Sequence, residues 1–272
     1  MRRAVLLGAL ALTAALLATG AVHAITFGEN DNGRHPFVGS LVLEVDGDRF
    51  QGCSGTLVSP TVFLTAGHCL TGLEEFGVTG VWVTFDEVID ANADGLVDPG
   101  VTLRTGTGHV DPDWGFPGLG GNAADPHDLA VFVLDAPVAM AAYGQLPAAG
   151  LVDRIDKRTA RFTTVGYGTV RDDKTKGQHA LGLGTRRKMA TQELLSVSGP
   201  WANFSMNPST GSGGTCFGDS GGPHFLGAGA SETRIVLAVT VTGDRFCRAT
   251  DKTYRVDTPQ ARAFLDDFIA VP

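Results

Sequence analysis

The chain is cut into short, apolar, β-rich runs by turn residues, and this punctuation limits its folds more than any other feature. Segments 37–43, 52–58, 62–66, 81–85, 129–134, 161–165, 235–241 and 253–256 are rich in Val, Leu, Ile, Phe and Thr. Gly, Asp, Asn and Pro stand between many of them. Strands of this length at such intervals predict an all-β barrel or sandwich rather than βαβ units. The 37 glycines have no three-residue period, which excludes collagen and suits many turns. One helix is predicted at the end: Asp257-Thr258-Pro259 supplies a cap and an early Pro, and Phe264, Leu265, Phe268 and Ile269 fall on one face. It is expected to pack on the last barrel. Residues 198–214, rich in Gly, Pro, Ser and Asn, are expected to form a long loop.

At 272 residues, 43% hydrophobic and 18% charged, the chain can bury a large core and is not disordered. Its start is not part of that core. A basic Met1-Arg2-Arg3, an apolar stretch from Ala4 to Ala18 and the small-residue site Val22-His23-Ala24 read as a secretory signal peptide, residues 1–24. The expected location is therefore outside the cytoplasm, extracellular or periplasmic. No later run is apolar enough to span a bilayer. The formal charge of −8 makes nucleic acid and anionic membranes poor partners. The basic run Arg186-Arg187-Lys188 is read as a solvated loop. Four cysteines, Cys53, Cys69, Cys216 and Cys247, form no C-x-x-C pair. In an exported chain the even count suggests two disulfides, with three pairings open.

Three segments carry chemistry: Leu64-Thr65-Ala66-Gly67-His68-Cys69, Asp125-Pro126-His127-Asp128-Leu129-Ala130-Val131, and Thr215-Cys216-Phe217-Gly218-Asp219-Ser220-Gly221-Gly222-Pro223. A serine hydroxyl is a weak nucleophile and needs a base. Flanking glycines allow a sharp turn, close approach of a carbonyl, and backbone N–H groups aimed at one point. The base should be a histidine held in one tautomer by a carboxylate.

With Val165-Gly166-Tyr167-Gly168, these segments make the sequence resemble the chymotrypsin/trypsin family of serine endopeptidases over about residues 25–270. The resemblance implies two six-stranded antiparallel β-barrels, divided here at roughly 25–145 and 146–272, followed by the helix. It implies a triad of His68 as base, Asp128 as its orienting carboxylate and Ser220 as nucleophile, with the N–H groups of Gly218 and Ser220 as oxyanion hole. It also implies pairing of Cys53 with Cys69 and of Cys216 with Cys247. A freed Ile25 ammonium would pair with Asp219, so that removal of residues 1–24 would itself produce the active terminus. Protein or peptide substrates and protease inhibitors are the implied partners, the chain acting as a monomer without a required cofactor.

The family's acidic pocket-floor position is Gly214 here, and the opposite wall reads Val241-Thr242-Gly243. Thr242, Gly243 and Asp251 are therefore expected in the substrate pocket; with Asp251 pointing inward, Arg or Lys would bind by charge pairing. Cleavage after apolar residues, or broad cleavage, stands beside that reading. Separately, Asp90, Asn92, Asp94, Leu96 and Asp98 have the spacing of a structural calcium loop, with Val101 in place of the usual Glu. Two rivals remain. An α/β-hydrolase esterase shares G-x-S-x-G but needs its histidine later in the chain, where only His224 follows. A protease-like binding protein would normally have lost a triad member.

Overall fold

The computed structural model describes residues 25–115, 124–171 and 181–272. The expected signal peptide lies outside them. The first barrel contains β2 (Val38–Val45), β3 (Asp48–Leu57), β4 (Val62–Thr65), β5 (Val78–Thr84), β6 (Gly106–Val110) and β7 (Ala130–Leu134). Their order is β5-β2-β3-β4-β7-β6, and a bridge between Val83 and Arg104 nearly closes the ring. The second contains β8 (Arg161–Gly166), β9 (Lys188–Ser198), β10 (Trp201–Ser205), β11 (Pro223–Leu226), β12 (Val236–Gly243) and β13 (Thr250–Arg255). Here β8 also pairs with β9, so the barrel closes. The strand pairs in both are antiparallel. This is the predicted two-barrel architecture, and it removes the α/β-hydrolase rival.

Three expectations need correction. The segment read as a long loop contains β10, whose Trp201, Ala202, Phe204 and Ser205 are buried. The short β1 (Glu29–Asn30) pairs with β9, so the N-terminal segment joins the second barrel rather than the first. The helix α1 (Pro259–Asp266) begins as predicted, with Thr258 Oγ1 accepting from Ala261 N–H, but it does not pack on the last barrel alone. Phe264 and Leu265 share a core cluster with first-barrel residues Leu57, Phe63 and Phe132, and Phe268 lies against His109 of β6.

The basic run is also corrected. Arg187 and Lys188 are buried, not solvated. Arg187 Nε donates to Asp31 Oδ2 at 2.8 Å, and its Nη1 donates to the carbonyls of Val38 and Phe85 and to the Tyr167 hydroxyl. A buried cation is tolerated because a carboxylate and several acceptors meet it. Asp31 also binds His35 Nδ1, and His35 Nε2 meets Glu232 Oε1 at 2.5 Å. The ring stacks on Phe225 with centroids 5.5 Å apart. This network joins the N-terminal segment to both barrels.

Burial alone would lower the His35 pKa, but Asp31 and Glu232 outweigh it and raise it. Burial raises Asp31, yet His35 and Arg187 bring it down to about 2; Glu232 is lowered in the same way by His35 and Thr163. A raised histidine stabilises the fold fully below its unfolded pKa, about 6.5, and loses that contribution as pH rises through its folded value. The two carboxylates act oppositely, losing theirs as pH falls through their folded values. The His35 contribution to the unfolding free energy, read as wild type minus variant, is expected to decline as pH rises above about 6.5. Urea titrations of the wild type and His35→Gln check it.

Candidate active site

His68 sits in a one-turn 3-10 helix, Gly67–Cys69, directly after β4. Cys69 is bonded to Cys53 on β3, which fixes the turn to the barrel wall. Asp128 stands two residues before β7 and is fully buried. Its Oδ1 accepts from the His68 backbone N–H at 2.8 Å and from Trp114 Nε1–H at 3.0 Å. Its Oδ2 stands 2.8 Å from His68 Nδ1. An ionised carboxylate can only accept, so Nδ1 carries the proton and Nε2 presents its lone pair. Trp114 was not singled out in the sequence. Its role depends on Gly67, because a Cβ there would lie 2.4 Å from the indole. His127, beside Asp128, turns instead to Asp111, 3.4 Å away.

Ser220 reaches the same crevice through its backbone. Its carbonyl accepts from Ser54 N–H at 2.8 Å, and Gly221 N–H donates to Thr240. A Cβ on Gly221 would lie 2.1 Å from Thr65 Oγ1 and 2.7 Å from Ala66 N, so the serine turn presses on the residues that lead into His68. Glycine also permits the φ of +77° at this position. The Ser220 Oγ makes no hydrogen bond among the described residues, to His68 or any other group.

Gly218 has φ +93°, and its carbonyl accepts from Gln51 Nε2 at 2.8 Å and Ser54 Oγ at 3.1 Å. These bonds anchor the peptide. Among the described residues the N–H groups of Gly218 and Ser220 donate to no protein acceptor. Gln51 is a second residue that the motifs do not reveal.

Asp219 is fully buried and accepts from Gly168 N–H at 2.7 Å and Cys216 N–H at 2.8 Å. Burial pushes its carboxyl up to about 7 against those two bonds, and the nearby Asp251 adds to the rise. Ile25 is also fully buried, and Thr26 exchanges backbone hydrogen bonds with Gly214 at 2.8 and 2.9 Å. The segment after residue 24 is thus inserted into the second barrel. The nitrogen of Ile25 is a peptide nitrogen in the full chain, and no ion pair joins it to Asp219 among the described residues.

A cavity of about 190 Å³ opens beside Ser220, with Thr215, Phe217, Thr240, Thr242, Gly243 and the disulfide Cys216–Cys247 in its wall. Thr242 and Gly243, expected in the substrate pocket, line this cavity. Gly214 and Asp251 do not line the cavity. At Gly214 a Cβ would meet Met206 at 2.3 Å and Gln192 at 2.8 Å, so this position faces packed side chains. Asp251 is fully buried behind the wall, where strand alternation on β13 turns it inward. An Arg or Lys side chain in the cavity therefore finds no Asp251 carboxylate on its surface.

The acidic loop directs its oxygens to its own backbone. Asp90 takes the N–H groups of Asp94 and Gly95, Asn92 that of Asp94, Asp94 that of Leu96, and Asp98 that of Ala91. The carboxylates of Asp90, Asp94 and Asp98 do not gather within 4.8 Å of one another. This donor set does not fit a calcium ion as it stands. Thermal melts with and without EDTA are expected to coincide.

The family model described as Trypsin matches residues 25–265. The chain belongs to the trypsin family. No curated protein matches it. The trypsin-like serine protease domain thus covers nearly all described residues. It carries two disulfides, paired as the resemblance implies. No helix among the described residues is long and apolar enough to cross a membrane.

Proposed function

We propose that the chain is an exported serine endopeptidase acting through an acyl-enzyme. The observation that carries this reading is the doubly held His68–Asp128 pair, beside a serine turn whose two N–H groups have no protein acceptor among the described residues. In this reading Ser220 Oγ attacks the peptide carbonyl carbon as its proton passes to His68 Nε2. The carbonyl oxygen takes the negative charge and accepts from the N–H groups of Gly218 and Ser220. The C–N bond then breaks, His68 returns the proton to the departing amine, and an ester on Ser220 remains. Water repeats the sequence, with His68 again taking and returning a proton, and releases the acid. Asp128 stabilises the imidazolium without itself taking the proton.

Removal of residues 1–24 would supply an ammonium at Ile25 for the buried Asp219. N-terminal sequencing of the secreted, active protein should read Ile25-Thr26-Phe27-Gly28. Protein and peptide substrates, and inhibitors that fill the same crevice, are the partners of this reading.

The test is covalent labelling by a fluorophosphonate. The processed protein should gain one adduct at Ser220, and Ser220→Ala should gain none. A correctly processed protein that stays unlabelled and cleaves no peptide would instead be a protease-like binding protein.

A further inference from the structure

A run of polar side chains behind the cavity wall has no part in the steps above. Gln192, His224 and Asp251 are buried. Gln192 Nε2 donates to Asp251 Oδ2 at 3.1 Å. His224 Nε2 stands 3.5 Å from that same oxygen and 3.0 Å from Thr240 Oγ1. The imidazole stacks on Phe204, with centroids 4.6 Å apart. Thr240 forms part of the cavity wall.

The neighbours of His224 decide where its proton sits. Nδ1 has no hydrogen-bond partner. A proton there would bury an unmatched N–H and turn the Nε2 lone pair toward a carboxylate. A proton on Nε2 meets two acceptors instead. Burial lowers the pKa of His224 to about 3, so the ring stays neutral. Thr240 Oγ1 therefore accepts from the ring, and its own O–H donates to no acceptor among the described residues. Thr240 lines the cavity, so a group bound there can supply that acceptor.

The wall's carboxylate is committed, and Thr242 is exposed. Asp244 spends its carboxylate on the N–H groups of Phe246, Arg248, Ala249 and Thr250. Arg245, exposed, brings a positive charge to the mouth.

We propose that Thr240, oriented by His224 and Asp251, makes this cavity select a substrate side chain ending in a carbonyl oxygen, glutamyl or glutaminyl, on the acyl side of the scissile bond. The inference rests on the protease reading. An aliphatic side chain would leave the Thr240 O–H unmatched once water is excluded. A lysyl or arginyl chain would bring more donors to a donor; the wall carboxylate, Asp244, already accepts from four N–H groups, and Asp251, whose Oδ1 has no partner among the described residues, lies behind the wall. A glutamyl or glutaminyl oxygen accepts from Thr240, and the guanidinium at the mouth favours the charged member.

The experiment compares kcat/KM for peptide anilides that differ only in Glu, Gln, Met or Lys at the residue attacked. Glu and Gln should each exceed Met and Lys by about tenfold or more, the worth of one matched hydrogen bond. Thr240→Val, which keeps the shape, should bring the Glu-to-Met and Gln-to-Met ratios close to one, and Thr240→Ser should restore them. His224→Phe, which keeps the stack on Phe204, should lower the same ratios, an effect that a merely structural role would not produce. Every preparation is first titrated with the fluorophosphonate. Labelled enzyme with Met or Lys as the best substrate, or with ratios unmoved in Thr240→Val, overturns the pocket assignment alone. Absence of labelling in the processed wild type overturns the protease reading and this inference with it.

Discussion

Asp128→Asn is expected to reduce kcat by about 10⁴-fold while leaving the fold intact. The reason lies in which atoms meet the side chain. The Asn carbonyl oxygen can take over Oδ1, where the His68 N–H and the Trp114 indole N–H both donate. The amide nitrogen then faces His68 Nδ1. It is a donor, so Nδ1 must become an acceptor and the ring proton moves to Nε2. The imidazole would then show an N–H where the serine proton has to go. Steady-state kinetics beside a denaturation curve check this: unchanged stability with little loss of kcat would remove Asp128 from the proposed triad.

The second large effect concerns the chain terminus. A mature form carrying one extra residue before Ile25, or an acetylated Ile25, should lose about 10²–10³ in kcat/KM. Asp219 is fully buried, and two backbone N–H groups are its hydrogen-bond donors. Leaving a buried carboxylate without its cation costs about 3–5 kcal/mol, and each 1.4 kcal/mol is a factor of ten. The cost falls on the turn that holds Gly218 and Ser220, because Asp219 lies between them. Comparing the free-terminus enzyme with the extended and acetylated forms provides the test. Equal activity in all three would show that the ammonium is not needed.

Much of this was legible in the sequence because its signals are local. His68, Asp128 and Ser220 each lie in a short string whose neighbours already announce the turn, the strand or the glycine freedom that positions them. The β-branched runs marked β2, β4, β7 and β12 for the same reason. β6 was missed because Gly106 and Gly108 dilute its alternation, and β10 because the polar residues around it outweighed its buried Trp201 and Phe204. Arg187 was misread because its counterion, Asp31, is distant in sequence and close only in the fold. Trp114 and Gln51 have no motif of their own; only packing against Gly67 and Gly218 gives them roles. Asp251 shows the same limit. Its facing depends on the register of β13 against Gly243 of β12, which spacing alone does not determine.

The attachment of β1 to β9, and of Thr26 to Gly214, bears on how the chain matures. The first residues of the domain dock onto strands and turns that leave the ribosome much later. A nascent or C-terminally truncated chain has nowhere to seat its leading end, whatever its length of finished first barrel. Assembly of the reactive centre therefore waits for the tail of the polypeptide. In the proposed reading, a partly synthesised chain therefore holds no assembled catalytic site.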